Sequence, residues 1–177
     1  MPHAQDAQLP LMILVYGLPG TGKSTFSRAL ARRLGMPRFN SDEMRQQLKL
    51  MNNYSPQAKT LVYEALRMAA EQELRKGQSV IIDANFTTAP QRQSFLELQK
   101  DLPVKIFSIR LTAETQLVRE RLAQQRPDSK ADWEVYQKLR SQAEYGGEDL
   151  LLESKNDNLE NMLHQALSFI NDSRRTS

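Results

Sequence analysis

LMILVYGLPGTGKSTF, residues 11–26, decides how the rest of this chain is read. Leu11 to Tyr16 form an apolar run without interruption, as a strand does when both faces of a parallel sheet are covered. A loop from Gly17 to Gly22 follows. From Lys23 onward, Phe26, Ala29, Leu30 and Leu34 recur at the helical period, and Gly35 and Pro37 stop the helix in the usual order. Between strand and helix, the spacing Gly17-x4-Gly22-Lys23-Ser24 matches G-x-x-x-x-G-K-[ST], the pattern of a phosphate-binding loop.

The chemistry accounts for each residue type in the run Gly17, Pro19, Gly20, Thr21, Gly22, Lys23, Ser24 and Thr25. Glycines let successive backbone N–H groups turn toward phosphate oxygens where a side chain would obstruct them. Lys23 sets an ammonium on the β- and γ-phosphates, Ser24 offers a hydroxyl to Mg²⁺, and Thr25 reaches the α-phosphate. The helix that starts there adds the positive end of its dipole. By chance, four fixed positions would match in roughly one chain of this size in a hundred. ATP with Mg²⁺ is the expected ligand, although the loop alone also admits GTP.

SVIID ends in Asp83, which fits a strand-end acid holding the water shell of Mg²⁺; the alternative is a turn aspartate. Asn85 lies close to the same sheet edge and is a candidate substrate contact, with a plain loop role equally open.

Composition excludes several other classes. The 177 residues fit one domain, and 40% hydrophobic with 25% charged residues is ordinary for a globular protein. A net charge of +3 permits an anionic substrate without demanding a nucleic acid. Without cysteine there is no disulfide framework, thiolate metal site or cysteine nucleophile, and His3 and His164 are too far apart in sequence to suggest zinc. The apolar stretch 9–18 is too short for the roughly 20 residues that span a bilayer, so no membrane partner and a cytoplasmic location are expected.

Residues 1–10 read as a flexible leader and 11–177 as a single domain. A short strand reaches about Asn40, and a loop or helix starts near Ser41 and Asp42. Ser55, Pro56 and Gly77 bound a long helix. Strands follow at SVIID and VKIFSIRL, helices after Thr88 and at 112–126 with Thr112 as cap, and a last strand and helix after Gly147. The alternation predicts an α/β fold of the P-loop NTPase type: a parallel sheet of about five strands with helices on both faces.

With GLPGTGKST, NSDEMR, the long helix leading to KGQSVIIDANFT, and LVRERLAQQR followed by DSKADWEVY, residues 11 to about 145 resemble the compact nucleotide-kinase-like P-loop kinases. The resemblance is closest to the AAA_33 set, near the kinase domain of polynucleotide kinase, zeta toxins and chloramphenicol phosphotransferase. It implies that Asp42 faces an acceptor hydroxyl and takes its proton, a role worth about 10²- to 10⁴-fold in rate. The competing role for Asp42 is to cap a helix starting at Glu43. Arg45, one helical turn on, matches an arginine that binds a substrate phosphate in polynucleotide kinase; a solvated surface arginine is the alternative.

The resemblance further implies a basic lid over about 119–131, carrying Arg119, Arg121, Arg126 and Lys130. Arg126 is the favoured contact to the transferring phosphate and the nucleotide, with Arg121 second; most charges on such a helix face solvent. Trp133 and Tyr136 are expected to pack within the lid or core.

The sequence thus points to an ATP- and Mg²⁺-dependent kinase that phosphorylates a hydroxyl of an unidentified acceptor. Lys23, Asp42 and Arg126 would be catalytic, and Asp42, Arg45 and Asn85 would meet the acceptor. One alternative is a polynucleotide 5′-hydroxyl kinase, in keeping with Arg45 and a pI of about 9.2. Nucleic acid is the less favoured acceptor, because no series of aromatics suggests base stacking. The other alternative is a nucleotide-dependent regulatory or toxin-like protein without a small-molecule acceptor.

Overall fold

Alternate residues of the first strand, β1 (Leu11–Tyr16), enter two different cores. In the computed structural model, which describes residues 8–125 and 129–175, β1 is wholly buried at the centre of the molecule. Leu11, Ile13 and Val15 pack with Phe26 and Leu30 of α1 (Lys23–Leu34) and with Met162, Leu163, Ala166 and Ile170 of α7 (Leu159–Arg175). Met12, Leu14 and Tyr16 face the opposite way, onto Val62, Leu66 and Ala70 of α3 (Pro56–Arg75) and Phe95 of α4 (Ala89–Leu96). The period of 2 along the strand therefore builds both layers, and its unbroken apolarity is the sequence trace of that burial.

Around β1 lie β2 (Arg38–Asn40), β3 (Val80–Asp83), β4 (Lys105–Thr112) and β5 (Leu150–Glu153), in the order β2-β3-β1-β4-β5 with every pairing parallel. This is the five-stranded parallel sheet with helices on both faces that the alternating pattern predicts. Ser55 caps α3 by accepting the Ala58 N–H at 3.2 Å, and Pro56 occupies its first turn. The remaining helices are α2 (Ser41–Gln47), α5 (Thr115–Gln125) and α6 (Ser129–Gln142). Val118 and Leu122 of α5 pack on Tyr136 of α6, forming a small separate core.

The start of α5 differs from expectation. Thr112 belongs to β4, where it pairs with Glu153, and α5 starts only at Thr115. Strand pairing with β5 outweighs the local capping preference of a threonine. Among the described residues no helix is long and apolar enough to cross a membrane.

The C-terminal ends of parallel strands share one sheet edge. Val15 pairs with Asp83, and Asn40 also pairs with Asp83, so the loop after β1, the acid ending β3 and the start of α2 lie side by side. Ligands of open α/β sheets bind at this edge.

Candidate active site

The glycine loop adopts the backbone that its composition requires. Gly17, Gly20 and Gly22 have φ of +146°, +78° and +86°. A Cβ on Gly17 would lie 2.3 Å from the Leu111 carbonyl oxygen, and one on Gly22 would lie 2.9 Å from Ser154 Oγ. Inside the loop, Thr21 Oγ1 donates to the Leu18 carbonyl at 2.7 Å. Gly22 precedes α1 without a capping side chain, and no acid occupies the first turn. The N–H groups of that turn are therefore free to receive an anion.

Lys23 is buried, and its Nζ donates to the Leu18 carbonyl at 3.0 Å. Burial pushes its pKa below the ordinary lysine value, while the charges of Asp83 and then Asp42 act to raise it. The ammonium thus lies within the field of both candidate carboxylates.

Asp83 is fully buried. Its Oδ2 accepts from Ser27 Oγ at 2.7 Å and from Arg38 Nη2 at 2.9 Å, and its Oδ1 has no hydrogen-bond partner among the described residues. A buried carboxylate oxygen without a donor suits a water or cation arriving with a ligand. Ser24, half-buried at the start of α1, is the accompanying hydroxyl.

Asp42 stands in the first turn of α2, but it does not cap that helix. Asn40 does, with its Oδ1 accepting from the N–H groups of Asp42 at 2.9 Å and Glu43 at 3.1 Å. The capping role considered for Asp42 is therefore filled by Asn40, because the helix begins at Ser41 rather than Glu43. The Asp42 residue itself is exposed at the sheet edge.

Arg45 is not a solvated surface arginine. It is 7% exposed, donates through Nη1 to the Asn53 carbonyl, and its guanidinium lies 4.5 Å from the centroid of the Tyr54 ring. Its Nε is buried without a hydrogen-bond partner among the described residues.

The loop after β3 leaves the same sheet edge. Asn85 is half-buried, and its carbonyl accepts from the Tyr145 hydroxyl at 2.8 Å. Phe86, at φ +45°, is held by an N–H bond to Tyr63 Oη at 3.0 Å and by Arg92, whose Nη1 donates to its carbonyl at 2.7 Å. Burial pushes the Tyr63 hydroxyl up to about 12, so it stays neutral over the physiological range.

From α5, Arg121 Nη1 donates to the Gly20 carbonyl at 3.2 Å and to Ser154 Oγ at 3.0 Å. Arg119 lies over the Trp133 ring, which stacks on Tyr136 at 5.0 Å. Trp133 and Tyr136 therefore pack against α5 in the small third core. Arg126 and the side chain of Lys130 lie outside the described residues. A cleft of about 370 Å³ opens between Gly22, Lys23 and Ser24 on one wall and Arg121, Ser154 and Asn156 on the other. That size falls in the range of small-molecule sites.

Sequence reasoning missed Ser27, Arg38, Asn40, Tyr63 and the Ser154–Asn156 loop. Two signals were available. Ser27 is a polar residue on the buried side of an amphipathic helix, and Ser154–Asn156 follows a strand at the ligand-binding edge of a parallel sheet.

Three comparisons extend this geometry. An uncharacterized protein of Mycobacterium tuberculosis (strain ATCC 25618 / H37Rv), Rv2004c, is 29% identical over 132 residues, covering 68% of this chain and 26% of that protein. The chain thus spans about a quarter of the length of that relative. The APS kinase CysC of Mycobacterium tuberculosis, solved in complex with AMPPNP and APS, superposes with a TM-score of 0.75 at 17% identity over 92% of this chain and 98% of that one. A gluconokinase from Sinorhizobium meliloti 1021 superposes with a TM-score of 0.72 at 17% identity, covering 96% of each chain. These two similarities show that the chain shares the fold of those proteins. The AAA_33 model, described as an AAA domain, matches residues 12–145, and the chain belongs to that family.

Proposed function

We propose that this protein is an ATP- and Mg²⁺-dependent kinase that transfers the γ-phosphoryl group to a hydroxyl of an acceptor. The observation that supports this reading is the convergence on Lys23: its buried ammonium feels both Asp83 and Asp42 while lying against the glycine loop. A binding switch needs the loop and the strand-end acid; the second carboxylate, exposed at the same edge, suits an acceptor that must lose a proton.

The N–H groups of the glycine loop and the first turn of α1 hold the phosphates, and Lys23 neutralises charge on the β- and γ-phosphates. Ser24 and Asp83 would hold Mg²⁺, which would supply neutralisation of the phosphate charge. Asp83 Oδ1, buried and unpartnered among the described residues, fits that group. The acceptor oxygen attacks the γ-phosphorus, its proton passes to the Asp42 carboxylate, and the bond to the bridging oxygen breaks to release ADP. Arg121 lines the nucleotide cleft, with Arg126 as a further lid arginine, and Asn85 forms part of the acceptor wall. The test is a panel of metabolites and oligonucleotides incubated with γ-labelled ATP, with Lys23→Ala as the blank. Label in an acceptor supports the reading; acceptor-independent ADP release alone overturns it.

Arg45 favours a second reading, an acceptor with an anionic group such as a 5′-hydroxyl polynucleotide. Its guanidinium is buried, retains an unpartnered Nε and is paired with no carboxylate among the described residues. Absence of 5′-label in single-stranded DNA and RNA at high enzyme concentration would reject the polynucleotide.

A further inference from the structure

Arg38 joins four elements of the fold at one point. From the edge strand β2 its Nε donates to Ser27 Oγ of α1 at 2.8 Å. Its Nη2 donates to Asp83 Oδ2 at the end of β3 at 2.9 Å, and its Nη1 to Glu43 Oε1 in the first turn of α2 at 3.0 Å. Ser27 in turn donates to the same Asp83 oxygen at 2.7 Å. Each of the three guanidinium nitrogens therefore has a different partner, in the planar fork that only arginine supplies.

Two consequences follow from burial. The Arg38 side chain is 9% exposed and that of Asp83 is 0% exposed, so neither charge is solvated and each requires the other. With Oδ2 occupied twice, the carboxylate cannot rotate without breaking both bonds, and Oδ1 is left as its only open oxygen. At the other end of the fork, Glu43 follows Asp42 directly, so the same guanidinium ties down the helical turn that carries Asp42.

Resting on the kinase reading of Asp83 and Asp42, we propose that Arg38, with Ser27, is a positioning residue that aims Asp83 Oδ1 at the nucleotide-bound divalent cation and fixes the first turn of α2. Neither side chain lines the cleft beside the glycine loop, and both act through Asp83. The assignment separates two functions of the acid: one oxygen belongs to the protein scaffold, and the other to the metal's shell.

The experiment measures the gain in AMPPNP affinity on adding Mn²⁺, by calorimetry, for wild type, Arg38→Met, Arg38→Lys, Ser27→Ala and Asp83→Asn, each first checked for a cooperative melt. Arg38→Met is expected to lose about 10- to 100-fold of the metal-dependent gain, as outer partners of metal ligands do. AMPPNP affinity in EDTA should stay unchanged. Arg38→Lys should restore part of the loss, and Ser27→Ala should show a smaller one, which keeps the test open if Arg38→Met does not fold. The double variant Arg38→Met/Asp83→Asn should lose no more than Asp83→Asn alone. If Asp83→Asn loses the gain while Arg38→Met and Ser27→Ala keep it, the positioning role is overturned and the reading of Asp83 survives. If Asp83→Asn itself keeps the gain, the reading of Asp83 fails and the proposal fails with it.

Discussion

Asn40 caps the helix that carries Asp42: its side-chain oxygen accepts the Asp42 backbone N–H at 2.9 Å and leaves the Asp42 carboxylate outside the cap. Because Asn40 is also the last residue of β2, paired beside Asp83, the cap fixes Asp42 to the sheet edge. Asp42→Asn should preserve ATP affinity and reduce single-turnover transfer by about 10²- to 10⁴-fold. Asn40→Ala should cost about 1 kcal/mol of stability and lower transfer without changing nucleotide affinity. Transfer at the wild-type rate in Asp42→Asn would remove the base assignment.

Lys23 carries its charge at a cost to folding. Burial lowers its pKa in the folded state below the unfolded value of 10.5, so the unfolded chain binds more protons between those two values. Stability attributable to Lys23 should therefore rise as pH increases through that window, and its penalty should be fully present below it. Lys23→Met is expected to abolish transfer yet gain on the order of 0.5–2 kcal/mol at neutral pH. The check is denaturant unfolding of both proteins from neutral pH to above 10.5, where the difference between them should shrink. A less stable Lys23→Met protein would contradict this.

The loop glycines differ in how much room surrounds them. At Gly17 an added Cβ meets backbone, the Leu111 carbonyl oxygen at 2.3 Å; at Gly22 it meets the Ser154 hydroxyl at 2.9 Å, which can rotate away. Positive φ alone makes either alanine variant costly by about 1–3 kcal/mol. Gly17→Ala should be the worse folder, whereas Gly22→Ala should fold and lose nucleotide affinity. Thermal melts with and without AMPPNP distinguish the two.

Tyr63 secures the loop that follows β3. Tyr63→Phe removes the acceptor of the Phe86 N–H and leaves a buried donor unmet, at about 1–3 kcal/mol. Because Phe86 sits at φ +45°, its loop should relax, and the acceptor KM should rise more than the ATP KM. Steady-state kinetics with each substrate varied would show it; equal effects on both constants would argue for a general loss of structure.

Much of this molecule is legible in one dimension because the physics is local. An unbroken apolar run, a glycine loop and a capped amphipathic helix name a phosphate cradle, and the regular alternation of strands and helices names the parallel sheet. Asp83 is visible as the acid ending a buried strand. The sequence by itself therefore determined the fold class, the cradle and its strand-end acid. Only the tertiary structure decided what those groups touch. Arg38 reads as an ordinary charge on a short edge strand until pairing with β3 brings it against Asp83 and Ser27. Arg45 reads equally as a phosphate contact or a solvated charge until the segment after α2 folds over it. Thr112 reads as a cap until β5 extends the sheet to it. In each case the deciding partner is distant in sequence or set by the path of a loop, and local propensity carries no record of it.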